Sequence, residues 1–123
     1  MTRGDRDEER EERIKMEIVV DAYTSEERAV GWHHYLKDHM TVPFEVRCID
    51  EREVSPLDEG ETVRVQGMSS VDTCQSEMFV TVEWMDRELG VPLAQLEPLD
   101  VDGDTEEAIA DWHYWVERGY SFA

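Results

Sequence analysis

The chain has 123 residues, with 31 Asp and Glu against 12 Lys and Arg, giving a formal net charge of −19 at neutral pH. So negative a surface lacks the cationic contacts that nucleic acid and anionic membranes require; it favours cations or a basic protein as partners. The length suits one domain, no apolar run approaches the ~20 residues of a membrane span, and no secretory leader is visible, so a cytoplasmic monomer is expected.

Residues 1–13, "MTRGDRDEEREER", are almost purely charged and are expected to fray, leaving 14–122 as a single domain. Helix can still begin inside this run, because Glu9 with Arg13 and Glu11 with Lys15 have i,i+4 spacing. Met16, Val19, Val20 and Tyr23 then form one helical stripe. Thr24 and Glu27 make a capping box for a second helix running to about His39, with Ala29, Trp32, His33, Leu36 and Met40 on its apolar face. Pro43 lies just beyond, where a helix cannot continue.

The middle of the chain changes to period two. Phe44, Val46 and Cys48 alternate with polar residues; Val63 and Val65 follow the turn signal Asp58-Glu59-Gly60. Val80, Val82 and Trp84 make a third set, Met85-Asp86-Arg87 a turn, and Leu89, Val91 and Leu93 a fourth. The segment "VPLAQLEP" reads as a strand entering a tight turn. Asp104, with Glu107 at N3, is expected to cap a last helix that ends at Gly119 and buries Ala108, Ile109, Trp112, Trp115 and Val116. The order predicts an α+β fold: a small antiparallel sheet or SH3-like partial barrel flanked by two N-terminal helices and one C-terminal helix.

The two cysteines show no ligand spacing; Cys48 falls on the apolar face of its strand, and two free thiols in a reducing compartment fit best, with a single disulfide as the alternative. In "GWHHYLKDHM", His33 lies on the apolar stripe, His34 has Asp38 four residues on, and His39 sits at the helix end. These rings diverge, whereas zinc needs three or four convergent ligands. Neither a G-x-S-x-G elbow, a phosphate loop nor H-E-x-x-H is present, so an enzyme is not expected.

Carboxylates remain, and they suit a hard cation such as Ca²⁺, which takes carboxylate and carbonyl oxygens. Asp100, Asp102 and Asp104 have the spacing of the first positions of an EF-hand loop over 100–111. However, Thr105 stands where that loop needs glycine, and Asp111 stands where it needs a bidentate Glu. Asp38 occupies the last turn of the second helix, where the dipole is negative and an acid is unfavourable unless a cation reverses the sign. Asp21 is placed similarly at the end of the first helix. Asp50, Glu51 and Glu53 follow the first strand and are expected to fold back beside Asp38. These eight acids are the candidate ligands. The competing reading is a merely solvated acidic surface: ten Arg against two Lys is a composition that salt adaptation also produces.

The segments "EIVVDAYTSEERAVGWHHYL", "SPL" with "GETVRVQGM", "EMFVTVEW" with "VPLAQLEP", and "IADWHYWVERGY" resemble the CcbP family of small acidic calcium-binding proteins known from cyanobacteria, over about residues 15–122. The resemblance implies a soluble cytoplasmic protein that binds Ca²⁺ through surface carboxylates without EF-hands and becomes more compact when loaded. In cyanobacteria it implies calcium buffering or signalling during heterocyst differentiation. An alternative function is an SH3-like interaction module that binds a basic protein or peptide.

Overall fold

The computed structural model describes residues 7–20 and 22–119. Asp7 caps the first helix, α1 (Glu8–Arg13), by accepting from the Arg10 N–H at 3.1 Å. Helix therefore starts within the charged run. It passes at once into a π-helical segment, Ile14–Ile18, marked by the Val19 N–H donating to the Ile14 carbonyl five residues back. That wider turn shifts the phase of the stripe. Ile14 and Ile18 are buried, with Val19 partly so, whereas Met16, Val20 and Tyr23 of the expected stripe are 59%, 49% and 81% exposed. Asp21 lies outside the described residues.

The second helix, α2 (Ser25–His39), opens on the expected capping box: the Thr24 hydroxyl accepts from the Glu27 N–H, and the Glu27 carboxylate accepts from the Thr24 N–H. Ala29, Trp32, Leu36 and Met40 are buried as the periodicity requires. Tyr35 joins them, while His33 is only half-buried. Gly31 lets α2 close onto the π-helical segment: a Cβ there would come within 2.3 Å of the Ile18 carbonyl oxygen.

Five antiparallel strands follow: β1 (Phe44–Cys48), β2 (Thr62–Met68), β3 (Phe79–Trp84), β4 (Arg87–Pro92) and β5 (Leu96–Leu99). Their order is β4-β3-β2-β1-β5, and the sheet does not close. The alternating valines turn one face inward, since Val46, Val65, Val80 and Val82 are all fully buried. Met85 and Asp86, at φ 49° and 63°, make the two-residue β3–β4 turn, with Trp84 paired to Arg87. The fourth strand ends at Pro92. Leu93–Gln95 then form a 3₁₀ turn that carries the chain into β5, which pairs with β1 at the other edge of the sheet. The expected fourth strand and its tail are thus two strands separated by this turn.

The third helix, α3 (Gly103–Glu117), corrects the expected cap. Asp102, not Asp104, is the N-cap and accepts from the Thr105 N–H at 2.7 Å. Gly119 follows the helix at φ 84°, as a C-terminal glycine should. Helices α2 and α3 cross over the sheet, and their indoles meet in the core: Trp32 lies 5.0 Å from Trp112 and 5.4 Å from Trp115, centroid to centroid. Val116 is 38% exposed, because the inward stripe is instead Thr105, Ala108, Ile109, Asp111, Trp112 and Trp115. No described helix is long and apolar enough to cross a membrane.

Candidate functional site

The buried charge on α3 explains how the acidic chain holds its N-terminal helix. Asp111 is 0% exposed. Arg13 grips it with two hydrogen bonds, Nε to Oδ2 at 3.0 Å and Nη2 to Oδ1 at 2.7 Å. Tyr35 donates its hydroxyl to Oδ2 at 2.8 Å, and Arg10 Nε sits 2.9 Å from Oδ1. Burial, and then donation to Asp111, push the Tyr35 hydroxyl well above the usual tyrosine range. The hydrogen bond to Asp111 outweighs partial burial at Arg13 and raises its guanidinium further. Tyr114 completes the clamp by donating to Glu11 Oε2 at 2.7 Å and accepting from the Asp7 N–H at 3.0 Å. Asp111 was a weak EF-hand position in the sequence. Its real signal is helical: it stands three residues from Ala108 and four from Trp115, a charge on the inward stripe.

The acids proposed as ligands divide by place. Asp38 is exposed in the last turn of α2, 3.5 Å from His34 Nε2. There the chain leaves the helix. The Thr41 N–H, which in a continuing helix would reach the Lys37 carbonyl, donates instead to Thr105 Oγ1 of α3 at 2.9 Å. The exit from α2 and the entrance to α3 are thereby joined. Asp102 sits at this junction. The Thr105 N–H first, then hydrogen bonds from the Thr105 and Thr41 side chains, hold its carboxyl below the ordinary carboxylate range. Asp100, at φ 53°, and Asp104, in the first turn of α3, flank it and are exposed. Residues 103–111 are helical.

Asp50, Glu51 and Glu53 do not fold back beside Asp38. The antiparallel pairing of β1 with β5 sets Leu99, and so the α3 entrance, beside Glu45, whereas Cys48 faces Leu96 at the far end. The length of β1, at ~3.3 Å per residue, separates the two acid groups. The second group is pinned in its own loop: the Asp50 carbonyl accepts from Gln95 Nε2 at 2.9 Å, and Arg52 Nη2 binds Glu77 Oε2 at 2.6 Å.

Three of the four histidines are held by backbone carbonyls. His33 Nε2 bonds the Ser69 carbonyl, His39 Nδ1 the Tyr35 carbonyl and His113 Nε2 the Leu96 carbonyl, at 2.8, 2.8 and 2.7 Å. Cys48 and Cys74 are buried and unbonded to each other. Among the described residues, no three His, Cys, Asp or Glu side chains converge as a ready-made metal shell.

A family model described as calcium binding, of the CcbP type, matches residues 12–116. No curated protein matches the sequence. Two solved structures are similar throughout. One is the crystal structure of Anabaena CcbP, 45% identical, covering 98% of both chains with a TM-score of 0.85. The other is a calcium-binding protein in its calcium-binding form, 44% identical, with 98% coverage of both chains and a TM-score of 0.85. A match over most of the length, together with this agreement in fold and identity, means that the chain belongs to the CcbP family of calcium-binding proteins.

Proposed function

We propose that this chain, over residues 14–122 as one domain, is a calcium-buffering or signalling protein. It takes Ca²⁺ on surface carboxylates at the junction of α2 and α3. The observation that carries this reading is the Thr41–Thr105 link, which fixes the acid-bearing exit of one helix against the acid-bearing entrance of another. Calcium takes about six to eight oxygens, drawn from carboxylates, backbone carbonyls and water. Asp38 offers a carboxylate beside the negative end of α2, and Lys37 a carbonyl without its helical donor. Asp102 stays ionised through its cap. Asp100 and Asp104 add exposed oxygens but stand at the positive end of α3, which weakens their share. The helical conformation of 103–111 supports a mode other than an EF-hand loop. Asp50, Glu51 and Glu53 form a separate, weaker candidate group at the far end of β1. The strand order, with a 3₁₀ turn before β5, supports describing the sheet as an SH3-like partial barrel.

The ion is cargo here. Its binding relieves repulsion among carboxylates, so loading compacts and stabilises the folded chain by ~2.7 kcal/mol at a hundredfold excess over Kd. Isothermal titration with Ca²⁺ in high KCl, on the chain and on Asp38→Asn, tests this. Saturable binding that weakens at least tenfold in the variant is expected. Binding that is unchanged by the substitution, or matched by Mg²⁺, refutes a specific site at the junction.

A further inference from the structure

Helix α3 presents a second stripe, away from the core, that the calcium reading leaves unused. Glu106, Ala110, His113 and Glu117 recur at i, i+4, i+7 and i+11, and so share one helical face. Beside that face runs the edge strand β5, and between them lies an open groove of about 480 Å³. Its floor is apolar, from Ile49, which is 40% exposed, and Pro98, with the buried Ile109 beneath them. Its rim is acidic, from Glu97, Glu106 and Glu117. The His113 ring is fixed in the wall by its bond to the Leu96 carbonyl. Glu97 already pairs with Arg47. Glu106 and Glu117 have no ion pair among the described residues.

The chain itself shows what this groove accepts. Arg10 lies at one end of it, its guanidinium 5.9 Å above the centre of the Tyr114 ring and its Nε 2.9 Å from Asp111. Cation over ring, beside a carboxylate, is how an arginine docks. Along the rest of the groove the carboxylates of Glu106 and Glu117 offer an arginine or lysine the same charge. Pro98 faces the groove and has no N–H to give, so an added β-strand would lose a ladder bond there. An occupant is therefore held by its side chains.

We propose that the groove between α3 and β5 is a docking site for a cationic segment of a partner protein, with an apolar side chain on the Ile49–Pro98 floor and flanking Arg or Lys on Glu106 and Glu117. This inference is independent of the calcium reading. Charge complementarity argues for that occupant twice: locally at the rim, and globally through the net charge of −19, which speeds the approach of a basic partner and repels an acidic one.

Titration of ¹⁵N-labelled chain with a capped peptide of alternating arginine and leucine tests it. A peptide of the same length with glycine for leucine serves as the control, and both are titrated in EDTA. Shifts confined to Ile49, Ala110, His113 and their neighbours are expected, with the leucine peptide at least fivefold tighter. Glu106→Gln with Glu117→Gln should weaken binding about tenfold, whereas Glu59→Gln with Glu88→Gln, exposed elsewhere, should change it less than twofold. Equal binding of both peptides, shifts scattered over the acidic surface, or equal loss in the two double variants would overturn the proposal and leave only general attraction to a polyanion. Calcium affinity, measured on the same variants, should not change, so failure of the groove and failure of the ion site are read separately.

Discussion

Replacing Asp111 with Asn keeps the shape of the side chain and removes its charge. The cost follows from its surroundings. The carboxylate is fully buried and accepts three hydrogen bonds, two from Arg13 and one from Tyr35, with the Arg10 guanidinium alongside. The amide can still accept from Tyr35, but its NH₂ then points a donor at a guanidinium. Breaking a buried ion pair costs ~3–5 kcal/mol. Both arginines are partly solvated, with side chains 21% and 26% exposed, which favours the lower end, ~3 kcal/mol. At ~2.1 cal/mol/K per residue, the unfolding entropy of 123 residues is ~0.26 kcal/mol/K, so the melting temperature should fall by ~12 °C. Urea unfolding in moderate salt, which screens the general repulsion, measures the same quantity through Cm at constant m. A double-mutant cycle with Arg13→Gln should return a coupling of ~1–3 kcal/mol. A destabilisation below ~1 kcal/mol, or a coupling near zero, would show that the clamp does not hold α1 to α3 and that the reasoning is wrong.

Two further outcomes are expected. Gly31→Ala, which would gain ~0.5–1 kcal/mol in an open helix, should instead destabilise by ~1–2 kcal/mol in thermal unfolding, because its Cβ meets the Ile18 carbonyl oxygen at 2.3 Å; a stabilised variant would mean that this close approach is not real. Tyr35 is held protonated above the ordinary tyrosine range, first by burial and then by Asp111. The unfolded chain releases that proton near pH ~10 and the folded chain does not. Stability is therefore complete below that pH and falls as pH rises through the folded value. Tyr35→Phe should flatten this alkaline slope in urea titrations from pH 9 to 11, and an unchanged slope would contradict the assignment.

How much could be read from the sequence depended on the range of the interaction. The Thr24–Glu27 box, the alternating valines of β1, β2 and β3, a turn at Met85-Asp86, though not its end before Arg87, and Gly119 are set by neighbours within a few residues, so spacing alone identified them. The excess of acids likewise pointed to a cation before any fold was known, since charge needs no geometry to be counted. Tertiary structure decided the rest. The π-helical turn moved the buried stripe from Met16 to Ile14 and Ile18, because the Gly31 contact and the clamp on Asp111 act across the fold. Asp102 displaced Asp104 as the cap at Thr105, the residue whose hydroxyl also takes the Thr41 N–H from α2 across the fold. The pairing of β5 with β1 put the exit of α2 beside the entrance to α3 and left Asp50, Glu51 and Glu53 at the opposite end of a strand. Which acids are brought to one end of the sheet, and which one disappears beneath two arginines, is settled by contacts distant in sequence, and no local pattern records them.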